Sequence, residues 1–486
     1  MSMQLSNSSL LRTQAYVDGV WMEADSGERI AVINPANDAV VAEVARCSAA
    51  ETRRAILAAE RAQLDWRRRS AKERADALRR IYEAMMAHQE DLARILTAEQ
   101  GKPLAEARVE IAYGASYFEW FAEEARRIYG DTIPAPSADK RIVTIKQPVG
   151  VVACITPWNF PNAMLSRKIA PALAVGCAVV CKPATATPLS ALAIAALAEE
   201  VGVPPGVVNV VVGDTRAIGA ELTGHPAVRK LTFTGSTAVG KSLIRACADT
   251  VKRVSMELGG NAPFIVFDDA NLETAVQGAI ACKYRNAGQT CVSANRILVQ
   301  SGIFDAFAER FTTAARSLKL GDGMEAGIEM GPLIDASAAS GVRKMIREAV
   351  SEGAVLLAEP GHAMESETFI GPTVLAEVTP DMRICREEIF GPAAPLLRFD
   401  TEEEAIQLAN DTPFGLAAYF YARDVGRIYR VGEGLEFGIV GVNEGIISNA
   451  AAPFGGVKES GYGREGSRYG LDDYLEIKYL CLGEIE

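Results

Sequence analysis

Beyond Pro148 the chain alternates short, wholly apolar runs with helical stretches, and this alternation constrains the fold more than any other feature of the sequence. Residues 150–155, 178–181, 207–212 and 230–233 read as strands, with helices such as 190–201 between them. Strands that are apolar throughout belong to parallel sheets covered by helices on both faces. A second series starts at 262–267 and continues through 297–299, 354–357 and 417–421. The chain is therefore expected to be α/β, with two parallel units divided near 258–261. Its 486 residues, 49% of them hydrophobic, exceed one ordinary domain and suffice for a large core.

Residues 49–122 have another grammar. Apolar residues recur at helical spacing (Ile56, Leu64; Leu78, Ile81, Met85; Leu92, Ile95, Leu96), which predicts successive amphipathic helices broken at Gly101, Lys102 and Pro103. Pro134 and Pro136 then precede an alternating stretch, 141–146, that reads as a strand of a projecting arm. The net charge of -12 argues against nucleic acid or an anionic membrane as partner, so an anionic ligand needs a local basic cluster. No charged and then apolar leader opens the sequence and no window is long and apolar enough to span a bilayer, so a cytoplasmic location is expected. The nine cysteines form no regular framework; Cys177 and Cys181 lie in an apolar run far in sequence from His88, His225 and His362, and no metal site is expected.

Four segments carry candidate chemistry. Phe233-Thr-Gly-Ser-Thr-Ala-Val-Gly240 follows a strand and opens a helix, so Gly235 can make the turn while Ser236 and backbone N–H groups face a phosphate. It lacks one glycine of the usual dinucleotide fingerprint, and such turns are also common structural devices. In Ala153–Pro161 two prolines and Trp158 fix a turn that presents Asn159, either as an oxyanion donor or as a partner for turn backbone. Lys182, before Pro183 at a strand end, suits a ribose or phosphate contact, or is a solvated surface lysine. Cys291, three residues after Gly288, combines a good nucleophile with an amide N–H for the oxyanion, and Glu257 before Gly259-Gly260 offers a carboxylate base. Seen alone, a cysteine of this kind is by default a buried, inert one.

The ordered motifs TPWNFP (156–161), KPA (182–184), FTGST (233–237), MELGG (256–260), GQTC (288–291), EEIFGP (387–392), NDTPFGL (410–416) and PFGGVKESGYGREG (453–466) resemble the aldehyde dehydrogenase superfamily from end to end. The resemblance implies Cys291 as nucleophile, Glu257 as general base and Asn159 as oxyanion donor, with Lys168 and Glu476 supporting proton transfer. It implies cofactor contacts from Ile155, Thr156, Trp158, Lys182, Thr185, Gly213, Phe233, Gly235, Ser236, Leu258, Glu388 and Phe390. The implied architecture is two Rossmann-type domains, a cofactor-binding one (1–124 and 147–257) and a catalytic one (258–471). A small β arm (125–146 and 472–486) completes it and joins subunits into a homodimer or homotetramer.

Within that superfamily the chain is most similar to succinate-semialdehyde dehydrogenases, in KYRNAGQTC, GVNEGIISN and DDYLEIKYLC. Arg167, Arg285 and Ser448 match the positions that hold the substrate carboxylate there. The expected substrate is an anionic aldehyde, succinate semialdehyde first, with glutarate semialdehyde or sulfolactaldehyde as alternatives, since planar guanidinium forks accept several oxyanions. The opposing reading is that each arginine pairs with an internal carboxylate. Asn162 stands where relatives more often carry a small apolar residue. Thr185 replaces the glutamate common in strict NAD users, so NAD and NADP are both expected to serve. Ser293 replaces the second cysteine of the CVC run found in many relatives, so no disulfide switch through that position is expected.

Overall fold

The computed structural model describes residues 3–358 and 366–484. His362 and the last two residues of the expected arm lie outside the described residues. The first sheet has eight strands, and its five central members, Arg253–Glu257, Val228–Thr234, Val151–Ile155, Ala178–Lys182 and Val208–Val210, run parallel in that spatial order. In chain order the sheet grows from Val151–Ile155 toward Val208–Val210, then restarts on the other side with Val228–Thr234. That reversal is a topological switch point, and ligands of open α/β sheets bind at the carboxyl ends of the strands flanking it.

The second sheet has seven strands, in the order Val355–Ala358, Thr373–Ala376, Ala393–Phe399, Ala294–Gln300, Ala262–Val266, Ala417–Tyr421 and Ile439–Val442. All its pairings are parallel except that of the first two. Val151–Ile155, Ala178–Lys182 and Ala262–Val266 are buried at every position, which is why they read as continuous apolar runs. Leu258, Gly259, Gly260 and Asn261 connect the sheets, between the last residue of Arg253–Glu257 and the first of Ala262–Val266.

The helical portion divides as its spacing predicts into Ala49–Trp66, Ala71–Ala87, Gln89–Gln100 and Leu104–Glu124. Ile56, Leu78, Ile81, Met85, Leu92, Ile95 and Leu96 are buried, while Leu64 is exposed. Gly101 ends the third helix in the left-handed conformation and Pro103 precedes the fourth. Lys102, between them, is buried. The strand Arg141–Pro148 pairs antiparallel with Leu475–Leu482 over its whole length, forming with Thr132–Ile133 a three-stranded sheet that leaves Ile477, Tyr479 and Leu482 exposed. Among the described residues no helix is long and apolar enough to cross a membrane.

Candidate active site

The strand ends converge on one cavity of about 310 Å³, lined by Trp158, Asn159, Arg167, Gly235, Ser236, Leu258, Arg285, Cys291, Glu388, Phe390 and Ser448 among others. Eleven residues expected from sequence thus share a single space, although they span nearly three hundred positions.

Cys291 sits at the end of a strained loop. Asn286, Ala287 and Gly288 hold φ of 52°, 55° and 75° in succession. Two left-handed non-glycine residues cost about 1–3 kcal/mol each and persist only where their surroundings fix them. Here Glu106 accepts the Asn286 N–H at 2.9 Å, and the Asn286 side-chain amide donates to the Asn159 carbonyl at 2.9 Å. A Cβ on Gly260 would collide with the Cys291 carbonyl, so the connector between the sheets needs glycine there for the nucleophile's backbone to pass. Burial pushes the Cys291 thiol up to about 12 against the pull of the nearby Arg167 guanidinium, so the thiol is protonated at neutral pH and needs a base.

Asn159 Nδ2 donates to the Gln289 carbonyl at 2.9 Å, which orients the amide and leaves its second hydrogen for an oxyanion near Cys291. Glu257 is the last residue of its strand and is buried, and its Oε2 has no hydrogen-bond partner among the described residues. Burial, reinforced by the neighbouring Glu465 carboxylate, raises Glu257 to about 8, with Arg167 and Lys168 opposing. Thr156 Oγ1, Asn159 Oδ1, Arg167 Nη2 and Thr290 Oγ1 are likewise buried without partners among the described residues. Native interiors hold few such atoms, and those of Asn159, Arg167 and Thr290 belong to residues that line the cavity, which marks it as a place that awaits a ligand.

The cofactor side can be tested for fit. Ile155, Lys182 and Phe233 lie at the carboxyl ends of adjacent parallel strands, and Thr156 donates its N–H to the Lys182 carbonyl at 3.2 Å. Lys182 is buried, donates only to the Pro183 carbonyl at 3.2 Å among the described residues, and is lowered by burial to about 8. Ser236 is the N-cap of Thr237–Cys247 but its hydroxyl makes no cap bond, leaving it free at the positive end of a helix. Glu388 accepts the Gly260 N–H at 3.1 Å and is raised by burial to about 7. An unpaired amine, a free hydroxyl at a helix start and a carboxylate along one cleft fit a dinucleotide's ribose, pyrophosphate and second ribose. Thr185 is half-buried beyond Lys182, and Gly213, at φ 146°, bridges to Cys47 in parallel, where a Cβ would strike the Cys47 backbone.

Two expectations need correction. Glu476 lies on the arm strand Leu475–Leu482, exposed, with its carboxylate on Arg253 at 2.7 Å. It does not meet Lys168, because strand pairing with Gln147 carries it outward. The carboxylate on Lys168 is Glu465, buried, which also pairs with Arg167; Lys168 donates further to Thr232 at 3.1 Å. Glu465 belongs to the PFGGVKESGYGREG motif, and a carboxylate in a glycine-rich loop was its available signal. The second correction concerns the arginine pair. Arg167 already has an internal carboxylate partner, with Glu257 a further 3.9 Å away, whereas Arg285 has no carboxylate within 4.0 Å among the described residues and rests over the Phe160 ring. Asn162 is buried against Gly114 and lies outside the cavity lining. Sequence reasoning also missed Lys102, Glu106 and Glu110, whose role comes from contacts made far along the chain.

A thiol that can take up a carbonyl carbon, opening onto a dinucleotide cleft, belongs to the chemistry of a cysteine-dependent oxidoreductase linked to a nicotinamide cofactor. Residues 21–480 match the aldehyde dehydrogenase family, and the chain belongs to that family. It is 60% identical to 3-sulfolactaldehyde dehydrogenase of Pseudomonas putida over 484 residues, covering all of both chains. It is 58% identical to glutarate-semialdehyde dehydrogenase of Pseudomonas aeruginosa, covering 99% of this chain and all of that one. The solved structure of succinate-semialdehyde dehydrogenase from Burkholderia pseudomallei superposes with a TM-score of 0.98 at 57% identity, covering 99% of this chain and 100% of that one.

Proposed function

We propose that this aldehyde dehydrogenase oxidises a short aldehyde with an anionic tail, succinate semialdehyde foremost, through a covalent intermediate on Cys291. The observation that carries the reading is Arg285: a half-buried guanidinium on the cavity wall, with Ser448 beside the same cavity and no carboxylate within 4.0 Å among the described residues. A partly buried charge without a partner is costly unless a ligand supplies one.

In the proposed reaction the Cys291 sulfur attacks the aldehyde carbon, and its proton leaves toward the raised carboxylate of Glu257. The resulting oxyanion is held by the Asn159 amide and the Cys291 N–H, each such donor lowering the barrier by about 3–4 kcal/mol. A bound nicotinamide supplies the acceptor for the hydride whose loss leaves a Cys291 thioester. Glu257 passes the thiol proton on to solvent, then takes a proton from water as it attacks that thioester and returns it to the departing sulfur, releasing the acid and the thiol. Lys168 and Arg167, through Glu465, set the electrostatics under which Glu257 gains and loses its proton.

Both NAD and NADP are proposed to serve, because the Lys182 amine, bonded only to the Pro183 carbonyl among the described residues, suits a 2′-phosphate and Thr185 places no carboxylate against it. We assign the eight-stranded sheet to cofactor binding and the seven-stranded sheet to catalysis. The exposed apolar strand Leu475–Leu482 is assigned to a subunit interface in a homodimer or homotetramer, and the location to the cytoplasm.

A second reading, sulfolactaldehyde as the preferred substrate, is favoured by the 60% identity to the Pseudomonas putida enzyme. Comparison of kcat/KM for succinate semialdehyde, glutarate semialdehyde, sulfolactaldehyde and uncharged butanal tests both. The anionic substrates are expected to lead, with succinate semialdehyde first; a lead for sulfolactaldehyde selects the second reading, and a lead for butanal overturns both.

A further inference from the structure

A second cavity, of about 470 Å³, adjoins the first on its outer side and includes Glu106, Glu110 and Glu329 in its wall. Four residues border both spaces: Tyr113, Phe160, Arg285 and Ser448. They form a neck. An anionic tail in the outer cavity faces three carboxylates, of which Glu110 is matched by Lys102, and one at the neck faces a guanidinium and hydroxyls, so the neck is where the charge of the tail is best matched.

Tyr113 has a further feature. It lies on Leu104–Glu124 one helical turn before Tyr117, and the two hydroxyl oxygens are 2.6 Å apart, with the rings edge to face at 5.2 Å. Only one proton can lie between them. Tyr117 is completely buried, and among the described residues its hydroxyl has no other hydrogen-bond partner. A buried hydroxyl proton left unshared is unfavourable, so Tyr117 donates and Tyr113 accepts. The proton of Tyr113 is then released from the core and turned toward the neck.

We infer that the Tyr113 hydroxyl is a specificity-determining group that donates to the anionic tail of the substrate alongside Arg285 and Ser448, oriented by the buried Tyr117 hydroxyl. The inference rests on the anionic-tail reading above. It assigns to Tyr113 a role distinct from that of Arg167, whose charge is already met by Glu465.

The test compares succinate semialdehyde with butanal in the wild-type enzyme, Tyr113→Phe and Tyr117→Phe, with thermal unfolding and cofactor binding as checks of folding. In Tyr113→Phe the KM for succinate semialdehyde is expected to rise on the order of tenfold, at a kcat little changed, as befits loss of one hydrogen bond to a charged group. The KM for butanal is expected to stay put. Tyr117→Phe, which removes only the orienting donor, is expected to raise the KM for succinate semialdehyde by a smaller factor. An unchanged KM for succinate semialdehyde in Tyr113→Phe, or an equal rise for both aldehydes, overturns the inference. A wild-type enzyme that does not prefer the anionic aldehyde overturns the reading beneath it, whatever the variants do.

Discussion

The buried Nζ of Lys102 donates to the main-chain carbonyl of Asn159 at 2.7 Å while paired with Glu110 at 2.6 Å. Glu110 in turn accepts the N–H groups of Asn162 and Ala163, and Asn286 donates to the same Asn159 carbonyl. The ion pair therefore anchors the oxyanion donor at the same carbonyl through which Asn286 ties it to the loop that carries the nucleophile. Lys102→Met strands Glu110 in the interior, a loss of about 3–5 kcal/mol for a broken buried pair. It also frees Asn159 to drift, and misplacement by an ångström costs on the order of a hundredfold. Thermal unfolding is expected at a clearly lower temperature and kcat is expected to fall far more than cofactor affinity; wild-type kcat in a folded variant would show that Asn159 needs no such anchor.

The acidity of Glu257 sets a pH dependence. Its carboxyl is raised to about 8, so below that pH the base is protonated and above it is ready to accept a proton. Hydrolysis of the thioester, and with it kcat where that step limits, is expected to rise as pH increases through about 8. Glu257→Gln is expected to lower steady-state kcat by about a hundredfold to ten-thousandfold and to abolish this limb. A stopped-flow pH series that finds the same limb in the variant would move the role to another group.

Cofactor choice follows from Lys182 and Thr185. Thr185→Glu puts a carboxylate near the Lys182 amine, where it repels a 2′-phosphate and competes for the amine. The KM for NADP is expected to rise on the order of tenfold with that for NAD unchanged or lower. Equal effects on both cofactors would place position 185 away from the 2′ position.

Much of this was legible in the sequence because strands at parallel-sheet centres are apolar throughout. Val151–Ile155, Ala178–Lys182 and Ala417–Tyr421 fall within a residue of their expected limits. Motif residues whose roles depend on a strand end or a helix start, such as Lys182 and Ser236, were readable for the same reason. Glu476 was misread because proximity to a motif in sequence says nothing about which way an arm strand leaves the sheet. Glu465, Lys102 and the Tyr113–Tyr117 pair were hidden differently. Lys102 and Glu110 lie eight positions apart, and only folding shows that they bracket a carbonyl 57 residues away from the lysine. Ser293 was legible as the absence of a thiol; its hydroxyl is spent on the Lys283 carbonyl at 3.3 Å.

The central claim is that Cys291 carries the substrate covalently. Glu257→Gln, incubated to completion with succinate semialdehyde and cofactor and quenched in acid, should retain the acyl group, because losing the carboxylate slows thiol activation but blocks hydrolysis after oxidation. Mass spectrometry is predicted to show one added acyl group per chain, on the peptide containing Cys291, with a matching burst of reduced cofactor. A burst without an adduct, or an adduct on another residue, would contradict the account.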